Sequence, residues 1–177
     1  MRFLFALALA MVLHSPAMAE PGPQMELQLA SGRVVIALRP EKAPVTIAHL
    51  RRLASRHFYD GLSIVRIEPG HVVQGGDPQF DGTGGSGETV PLEASDLHHT
   101  RGAVGIARGG DPNSGDSQFY ICLADRPQLD GRFTIIGYVV EGMDVVDSLA
   151  LQPGDGPRGF ITDRSRQPRI ISVRIGS

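Results

Sequence analysis

Two segments of the chain, residues 65–77 and 106–121, contain Arg66, two glutamines and a tyrosine at spacings that can place these four side chains on one face of a β-sheet. The first segment has the pattern of a strand, a turn and a second strand, so Arg66 and Gln74 can face the same side if the strands pair. The second segment ends in an apolar run, where Gln118 and Tyr120 share a face because side chains alternate along a strand. A guanidinium and two amides among apolar neighbours would form a shallow groove with polar edges. Such a groove suits an extended peptide better than a small metabolite.

Two other motifs could in principle bind a nucleotide or hydrolyse an ester, and both are weak. Residues 82–87 match the pattern G-x-G-x-x-G, but Pro91 opposes the helix that a dinucleotide site requires after its glycines, which favours a surface loop. Residues 115–117, Gly-Asp-Ser, are similar to the nucleophile block of one esterase class, yet no histidine is evidently placed to act as the base. A secreted hydrolase built on Ser117 is therefore a remote alternative.

The histidines, the acidic residues and the single cysteine do not form a recognisable metal site. If residues 98 and 99 lie on a strand, His98 and His99 point to opposite faces and cannot chelate one ion together. The aspartates lack the spacing of a calcium-binding loop. Cys122 lies in an apolar run, where burial as a small hydrophobic residue is expected. The sequence thus offers no convincing nucleophile, metal ligand set or cofactor motif.

Composition and charge exclude several classes of protein. The 177 residues include 22 Gly and 13 Pro, which require many turns, while 41% are hydrophobic and no G-x-y period occurs. Collagen-like and wholly disordered chains are therefore excluded. The 17 basic residues oppose 19 acidic ones for a formal net charge of −2, so the excess of positive charge typical of nucleic-acid binders is absent.

Residues 1–19 have the pattern of a secretory signal peptide. A basic start precedes an unbroken apolar run over residues 3–13, and residues 17–19 have the small-x-small pattern of a cleavage site before Glu20. The apolar run is too short to span a bilayer. We expect cleavage there, a single domain over residues 20–177, and export of the mature chain without membrane attachment. The location would be periplasmic if the source is a Gram-negative bacterium and extracellular otherwise.

The rest of the chain alternates short apolar runs with Gly, Pro and Asp, as is typical of an all-β domain. A hairpin is predicted over residues 25–38, a helix from Pro44 to about Ser55, and a second helix over residues 143–149. Six further strands are predicted at residues 63–67, 72–74, 103–107, 119–123, 134–140 and 170–175. Eight strands and two helices favour a closed or nearly closed barrel, because closure removes exposed strand edges. The long connection over residues 78–101 has little periodicity, and a loop of that length usually has a function.

Together these features resemble the cyclophilin family of peptidyl-prolyl cis–trans isomerases over roughly residues 26–175. The resemblance rests on residues 65–77, 106–121 and 129–137 and on the order of the predicted elements. It implies a mainly β fold, a closed eight-stranded antiparallel β-barrel capped by two α-helices, with a peptide groove on its outer face. It also implies an enzyme that accelerates X–Pro isomerisation and assists protein folding, here in exported polypeptides.

The resemblance assigns roles to ten residues of this chain. The family's catalytic arginine falls on Arg66, and the glutamine that binds the substrate backbone falls on Gln74. The groove would continue along Ala107, Arg108 and Gln118, and the pocket for the proline ring would be lined by His71, Val72, Tyr120, Leu129 and Phe133. The family needs neither a cofactor nor a metal. The expected partners are proline-containing polypeptides in unfolded or extended segments, not nucleic acid or a membrane, and we expect a monomer.

The predicted proline pocket departs from the best-known members of the family. They carry Phe, Met, Phe, Trp and His at the positions of His71, Val72, Tyr120, Gln128 and Phe133. We expect weak cyclosporin binding, because Gln128 supplies neither an indole ring nor its N–H. The differences at His71, Val72 and Gln128 keep open a second hypothesis, a non-catalytic proline-peptide binding module or holdase chaperone on the same barrel. They also leave the X–Pro preference and the client proteins undetermined.

Overall fold

Eight strands form one antiparallel sheet in the computed structural model, which describes residues 22–176. The strands are β1 (Gln24–Leu29), β2 (Gly32–Leu38), β3 (Ile64–Glu68), β4 (Val72–Gly75), β5 (Ala103–Ile106), β6 (Phe119–Cys122), β7 (Ile135–Glu141) and β8 (Ile170–Ile175). Their order in the sheet is β3-β4-β6-β5-β7-β2-β1-β8. The predicted signal peptide, residues 1–19, lies outside the described residues.

The sheet curls until its two outer strands, β3 and β8, meet. The contact is made just before each strand begins: the Ile64 amide donates to the Pro168 carbonyl at 2.8 Å, and the Ile170 amide donates to the Leu62 carbonyl at 2.8 Å. These bonds satisfy backbone groups that would otherwise be an open edge. The prediction of a closed or nearly closed antiparallel barrel is confirmed.

Two helices pack against the barrel, as predicted. Helix α1 (Pro44–Ser55) begins with a proline, whose fixed φ suits the first helical position, and buries one face that packs against β8. Helix α2 (Met143–Ala150) follows Gly142, which has a φ of +83° that most residues avoid, and packs against β2. Within residues 22–176, neither helix is long and apolar enough to cross a membrane.

Side chains that alternate along the strands fill the barrel. In β1, Met25, Leu27 and Leu29 are buried, whereas the residues between them are at least partly exposed. Strands β4, β5 and β6 are buried at every position. Their outward-facing apolar side chains pack together in a second cluster, outside the barrel. The buried members of that cluster are Val72, Ala103, Tyr120 and Cys122. Burial of Cys122, as a free thiol, is therefore confirmed.

The predicted bounds of the helices and strands agree with the structure within two residues. Three single-turn 3₁₀ helices were not predicted, at Pro127–Leu129, Pro157–Gly159 and Arg164–Arg166. A three-residue element has no hydrophobic period to detect, so its position depends on the contacts that surround it.

Candidate functional site

A concave groove of about 580 Å³ lies on the outer face of the barrel, across β3, β4 and β6. The ten residues singled out from the sequence all line it: Arg66, His71, Val72, Gln74, Ala107, Arg108, Gln118, Tyr120, Leu129 and Phe133. They come from three strands and the segments that connect them, yet the antiparallel register places Arg66 beside Gln74, and Gln74 beside Tyr120. The predicted sharing of one face is confirmed.

The Arg66 guanidinium is held by acceptors from three separate parts of the chain. Its Nε donates to the Arg158 carbonyl at 2.7 Å, and its Nη1 donates to Oε1 of Gln74 at 3.2 Å. Its Nη2 pairs with the carboxylate of Glu68, which lies two residues away on the same face of β3. A guanidinium has five N–H donors, so these contacts leave two for a ligand. With a side chain only 17% exposed, Arg66 is a positioned group and not a solvated surface charge.

Two glutamines connect Arg66 to the long loop that follows β4. Nε2 of Gln74 donates to Oε1 of Gln118 at 2.8 Å, and Nε2 of Gln118 donates to the carbonyls of Gly82 and Gly84 at 3.1 and 2.7 Å. This series of bonds fixes the orientation of both amides. The glycine-rich segment is thus a wall of the groove, and two of its backbone carbonyls accept hydrogen bonds from the Gln118 amide.

An apolar recess occupies the other end of the groove. The rings of Tyr120 and Phe133 meet edge to face with centroids 6.0 Å apart, and the Arg108 guanidinium lies 4.8 Å from the Phe133 centroid. Partial burial lowers the pKa of His71, which favours the neutral imidazole at the rim of the recess. Gln128, the position at which the family resemblance expects a tryptophan, is exposed and is not among the residues that line the groove.

A buried chain of hydrogen bonds beneath the recess was not predicted. Nε2 of His99 and the Tyr120 hydroxyl lie 2.9 Å apart, and Oδ1 of Asp130 accepts from the His99 amide and from Nδ1 at 2.7 and 2.8 Å. Because an ionised carboxylate only accepts, Nδ1 carries the proton, and Nε2 of the neutral ring accepts from Tyr120. The available signal was the tyrosine itself, since a buried Tyr hydroxyl in an apolar run requires a partner.

The same contacts correct the interpretation of the adjacent histidines. His98 and His99 were expected on opposite faces of a strand, but they lie in an irregular loop. Both rings reach Asp130, His98 through Nδ1 at 2.8 Å. The strand assumption was wrong because backbone pairing, which imposes alternation, is absent there. Hydrogen bonds from His98 and from the His99 backbone lower the pKa of Asp130 to about 2, whereas burial lowers that of His99 and raises that of Tyr120.

Eight further residues complete the walls and were missed from the sequence. They belong to the glycine-rich loop, to the loop before β6 and to the connection between α2 and β8: Gly82, Thr83, Gly84, Gly109, Ser114, Asp116, Arg158 and Phe160. Most of them contribute backbone or small side chains whose position depends on loop packing. No residue pattern marks such positions in advance.

The structure also bears on the alternative chemistries that the sequence raised. Ser117 is fully buried, and its hydroxyl donates to the Gly76 carbonyl at 2.8 Å, so it is not available as a nucleophile. No helix follows the glycine-rich segment. Across residues 22–176, no three His, Cys, Asp or Glu side chains are arranged to hold a metal ion.

Comparison with known proteins agrees with this geometry. Residues 24–175 match the family described as cyclophilin type peptidyl-prolyl cis-trans isomerase/CLD. Peptidyl-prolyl cis-trans isomerase ppi1 of Schizosaccharomyces pombe is 43% identical over 152 residues, which cover 83% of this chain and 94% of the relative. Peptidyl-prolyl cis-trans isomerase B of Bacillus subtilis is 39% identical over 120 residues, covering 67% and 83%.

A solved structure shows the same fold. The cyclophilin type isomerase of Cryptosporidium parvum, crystallised in the presence of the dipeptide Ala-Pro, superposes with a TM-score of 0.79 at 25% identity. The superposition covers 87% of this chain and 99% of the other. The chain therefore belongs to the cyclophilin family and is a peptidyl-prolyl cis–trans isomerase.

Proposed function

We propose that Arg66 is the catalytic group of this isomerase and that the groove binds an X–Pro segment of an extended polypeptide. The observation that carries the proposal is the Arg66 guanidinium, held by three acceptors and left with two N–H donors at the groove surface. Proline-peptide binding is further supported by the Cryptosporidium parvum relative, which was crystallised with Ala-Pro present. Measurement of X–Pro exchange with wild type and with Arg66→Ala tests the assignment.

The chemistry requires a strained conformation to be stabilised and no bond to be broken. Resonance gives the peptide C–N bond a rotational barrier of about 18–20 kcal/mol, and X–Pro isomers interconvert only over tens to hundreds of seconds. In the twisted state the prolyl nitrogen loses resonance, becomes pyramidal and is more basic. A fixed guanidinium that donates to this nitrogen and to the adjoining carbonyl binds the twisted state better than either planar isomer, and so lowers the barrier.

The other groove residues hold the two sides of the bond so that one can turn against the other. In our proposal the apolar recess formed by Val72, Tyr120, Leu129 and Phe133 binds the proline ring, with His71 at its rim. Gln74 binds the flanking backbone through the amide N–H that it does not donate to Gln118. The Arg108 guanidinium already donates to the carbonyls of Arg132 and Gly109 at 2.9 and 2.8 Å, so it serves as a wall and not as a second catalytic group.

We expect the exposed position of Gln128 to limit cyclosporin binding, and Gln128→Trp to raise cyclosporin affinity at least tenfold. The indole adds apolar area over the recess and an N–H donor, and a tenfold gain needs only about 1.4 kcal/mol. Calorimetric titration of both proteins measures the change. Gln128→Phe is the matched control, because it adds a ring without a donor and should gain less. Equal affinity in wild type and Gln128→Trp would contradict the assigned position of Gln128.

The substrates that we propose are exported polypeptides, because the first 19 residues have the features of a signal peptide. Expression in a Gram-negative host should give a periplasmic product that begins at Glu20, as read by N-terminal sequencing of the fractionated protein. Ala19→Arg is the control, since it removes the small residue at the cleavage position and should leave an uncleaved precursor. A wild-type product that remains cytoplasmic and keeps Met1 would refute export.

A further inference from the structure

We propose that Arg158 makes the groove selective for X–Pro segments with an acidic residue immediately before X or immediately after the proline. The inference rests on the proposal that the groove is the substrate site. Arg158 belongs to the connection between α2 and β8, which sequence analysis did not associate with the groove. An acidic preference would add a substrate class to a site that is otherwise defined by its proline pocket.

The connection is attached to β3 at several points, which places Arg158 at the groove. The Gly154 amide donates to the Ile67 carbonyl at 3.0 Å, and the Ile161 amide donates to the Val65 carbonyl at 2.9 Å. Phe160 forms a β-bridge with Arg66. The segment therefore runs along the outer edge of β3, and its residues Arg158 and Phe160 form a wall of the groove.

The backbone conformation of Arg158 is also held in place. Its φ of +56° lies in the left-handed region, which is uncommon for a residue with a side chain. Such a conformation persists where the surroundings impose it. Here the Arg158 carbonyl accepts from Nε of Arg66 at 2.7 Å, and the following Gly159 lies so close to β3 that a Cβ would stand 2.6 Å from the Ile67 carbonyl. The hydrogen bond from Arg66 thus helps to fix the backbone position from which the Arg158 side chain extends.

Two guanidinium groups share the same end of the groove. The guanidinium carbons of Arg66 and Arg158 lie 5.7 and 5.9 Å from the centroid of the Phe160 ring. Glu68 pairs with Arg66. Among residues 22–176, no carboxylate forms an ion pair with Arg158, and its side chain is exposed. One positive charge at this end of the groove is therefore uncompensated.

The other charged groups of the groove are already bound to the protein. Arg108 donates to backbone carbonyls, and the Asp116 carboxylate accepts from the amides of Ser86 and Gly87, each at 3.0 Å. Among the residues that the structure describes, Arg158 is the charged wall residue whose side-chain donors are all free, whereas Arg66 keeps two. A guanidinium presents paired N–H donors that match a carboxylate. An acidic substrate side chain would therefore pair with Arg158.

The test compares matched peptides that differ by Glu or Gln at each of the two positions beside X–Pro. Exchange of each peptide is measured by NMR, which avoids a coupling protease with its own preference. For wild type at low ionic strength, we expect kcat/KM to be three- to tenfold higher with Glu than with Gln in at least one position. Added salt should reduce the ratio, because exposed charges are screened.

Variants of Arg158 determine whether this residue causes the preference. The Glu/Gln ratio should fall to about one in Arg158→Gln, fall below one in Arg158→Glu and persist in Arg158→Lys. Because the ratio is taken within each protein, a change in overall activity cancels. Arg164→Gln is the matched control, since this arginine of the same connection stacks on Phe80 at 3.6 Å and does not line the groove; its ratio should equal that of wild type.

The outcomes separate this inference from the proposed function. A wild-type ratio near one at both positions, or an unchanged ratio in Arg158→Gln, would overturn the role of Arg158 while leaving catalysis by Arg66 intact. Failure of the proposed function would appear differently, as full activity of Arg66→Ala on the neutral peptides.

Discussion

Replacing Arg66 by alanine should lower kcat/KM for an X–Pro peptide by about 30- to 1,000-fold and leave the barrel folded. The expected loss corresponds to about 2–4 kcal/mol of transition-state stabilisation, the magnitude that removal of one preorganised donor group usually costs. The guanidinium is held by Gln74, Glu68 and the Arg158 carbonyl, so little reorganisation is needed as the prolyl nitrogen becomes basic. An uncoupled exchange assay on one peptide measures the rate, and circular dichroism with thermal unfolding checks the fold.

Two further variants make the result specific. Arg66→Lys keeps the charge but not the planar set of donors, and should recover only part of the activity. Arg33→Ala is the matched control, because this strand arginine also pairs with a carboxylate, Glu141 at 2.7 Å, but lies outside the groove; its rate should equal that of wild type. Wild-type turnover in Arg66→Ala would remove Arg66 from the mechanism. No acceleration by wild type itself would favour the non-catalytic binding module.

The second large effect concerns stability and comes from Asp130. Asp130→Ala should lower the free energy of unfolding by about 2–4 kcal/mol at pH 7, because it removes the acceptor for two donors of the buried His99. Urea unfolding followed by circular dichroism measures the change. Asp60→Ala is the control: its carboxylate pairs with His57 at 2.9 Å, but that histidine is exposed, so the loss should stay below about 1 kcal/mol. Equal losses of unfolding free energy in the two variants would show that burial does not increase the contribution of the Asp130–His99 pair to stability.

His99 and Asp130 together make the stability of the protein depend on pH. Burial lowers the pKa of His99, so the unfolded chain binds a proton that the folded chain does not, and stability falls as pH decreases below about 6.5. The folded pKa of Asp130 is about 2, against an ordinary value near 3.9, so its contribution is complete above about pH 4 and is lost as pH falls toward 2. Unfolding curves at a series of pH values should therefore show a shallower acid limb below pH 4 for Asp130→Ala. An unchanged limb would contradict the contribution of this carboxylate.

Much of the groove could be predicted because its residues occupy local patterns. Alternation along a strand puts Gln118 and Tyr120 on one side wherever the strand lies, and a short turn between β3 and β4 brings Arg66 beside Gln74. Family resemblance then supplied their roles. The predicted helices and strands agree with the structure for the same reason. Hydrophobic periodicity and the positions of Gly and Pro are local signals, which extend over about ten residues.

The residues that sequence reasoning missed act across long separations. Asp130 and His99 are 31 residues apart, and the Arg158 carbonyl is 92 residues from Arg66. Glu68 is close in sequence, but it pairs with a guanidinium whose position depends on the Arg158 carbonyl in the connection after α2. A residue type at one position carries no information about which distant backbone will lie opposite it.

The amino-acid sequence alone determined the family of this protein and its strands and helices, because these depend on residue type and short-range spacing. The family resemblance then indicated ten of the residues that line the groove. Only the tertiary structure decided which hydrogen-bond and ion-pair partners surround those side chains. It placed a carboxylate and a backbone carbonyl on Arg66, an aspartate–histidine pair under Tyr120, and the uncompensated Arg158 at one end. Electrostatic balance and hydrogen-bond satisfaction are sums over everything nearby in space, and closure of the barrel brings distant parts of the chain within that range.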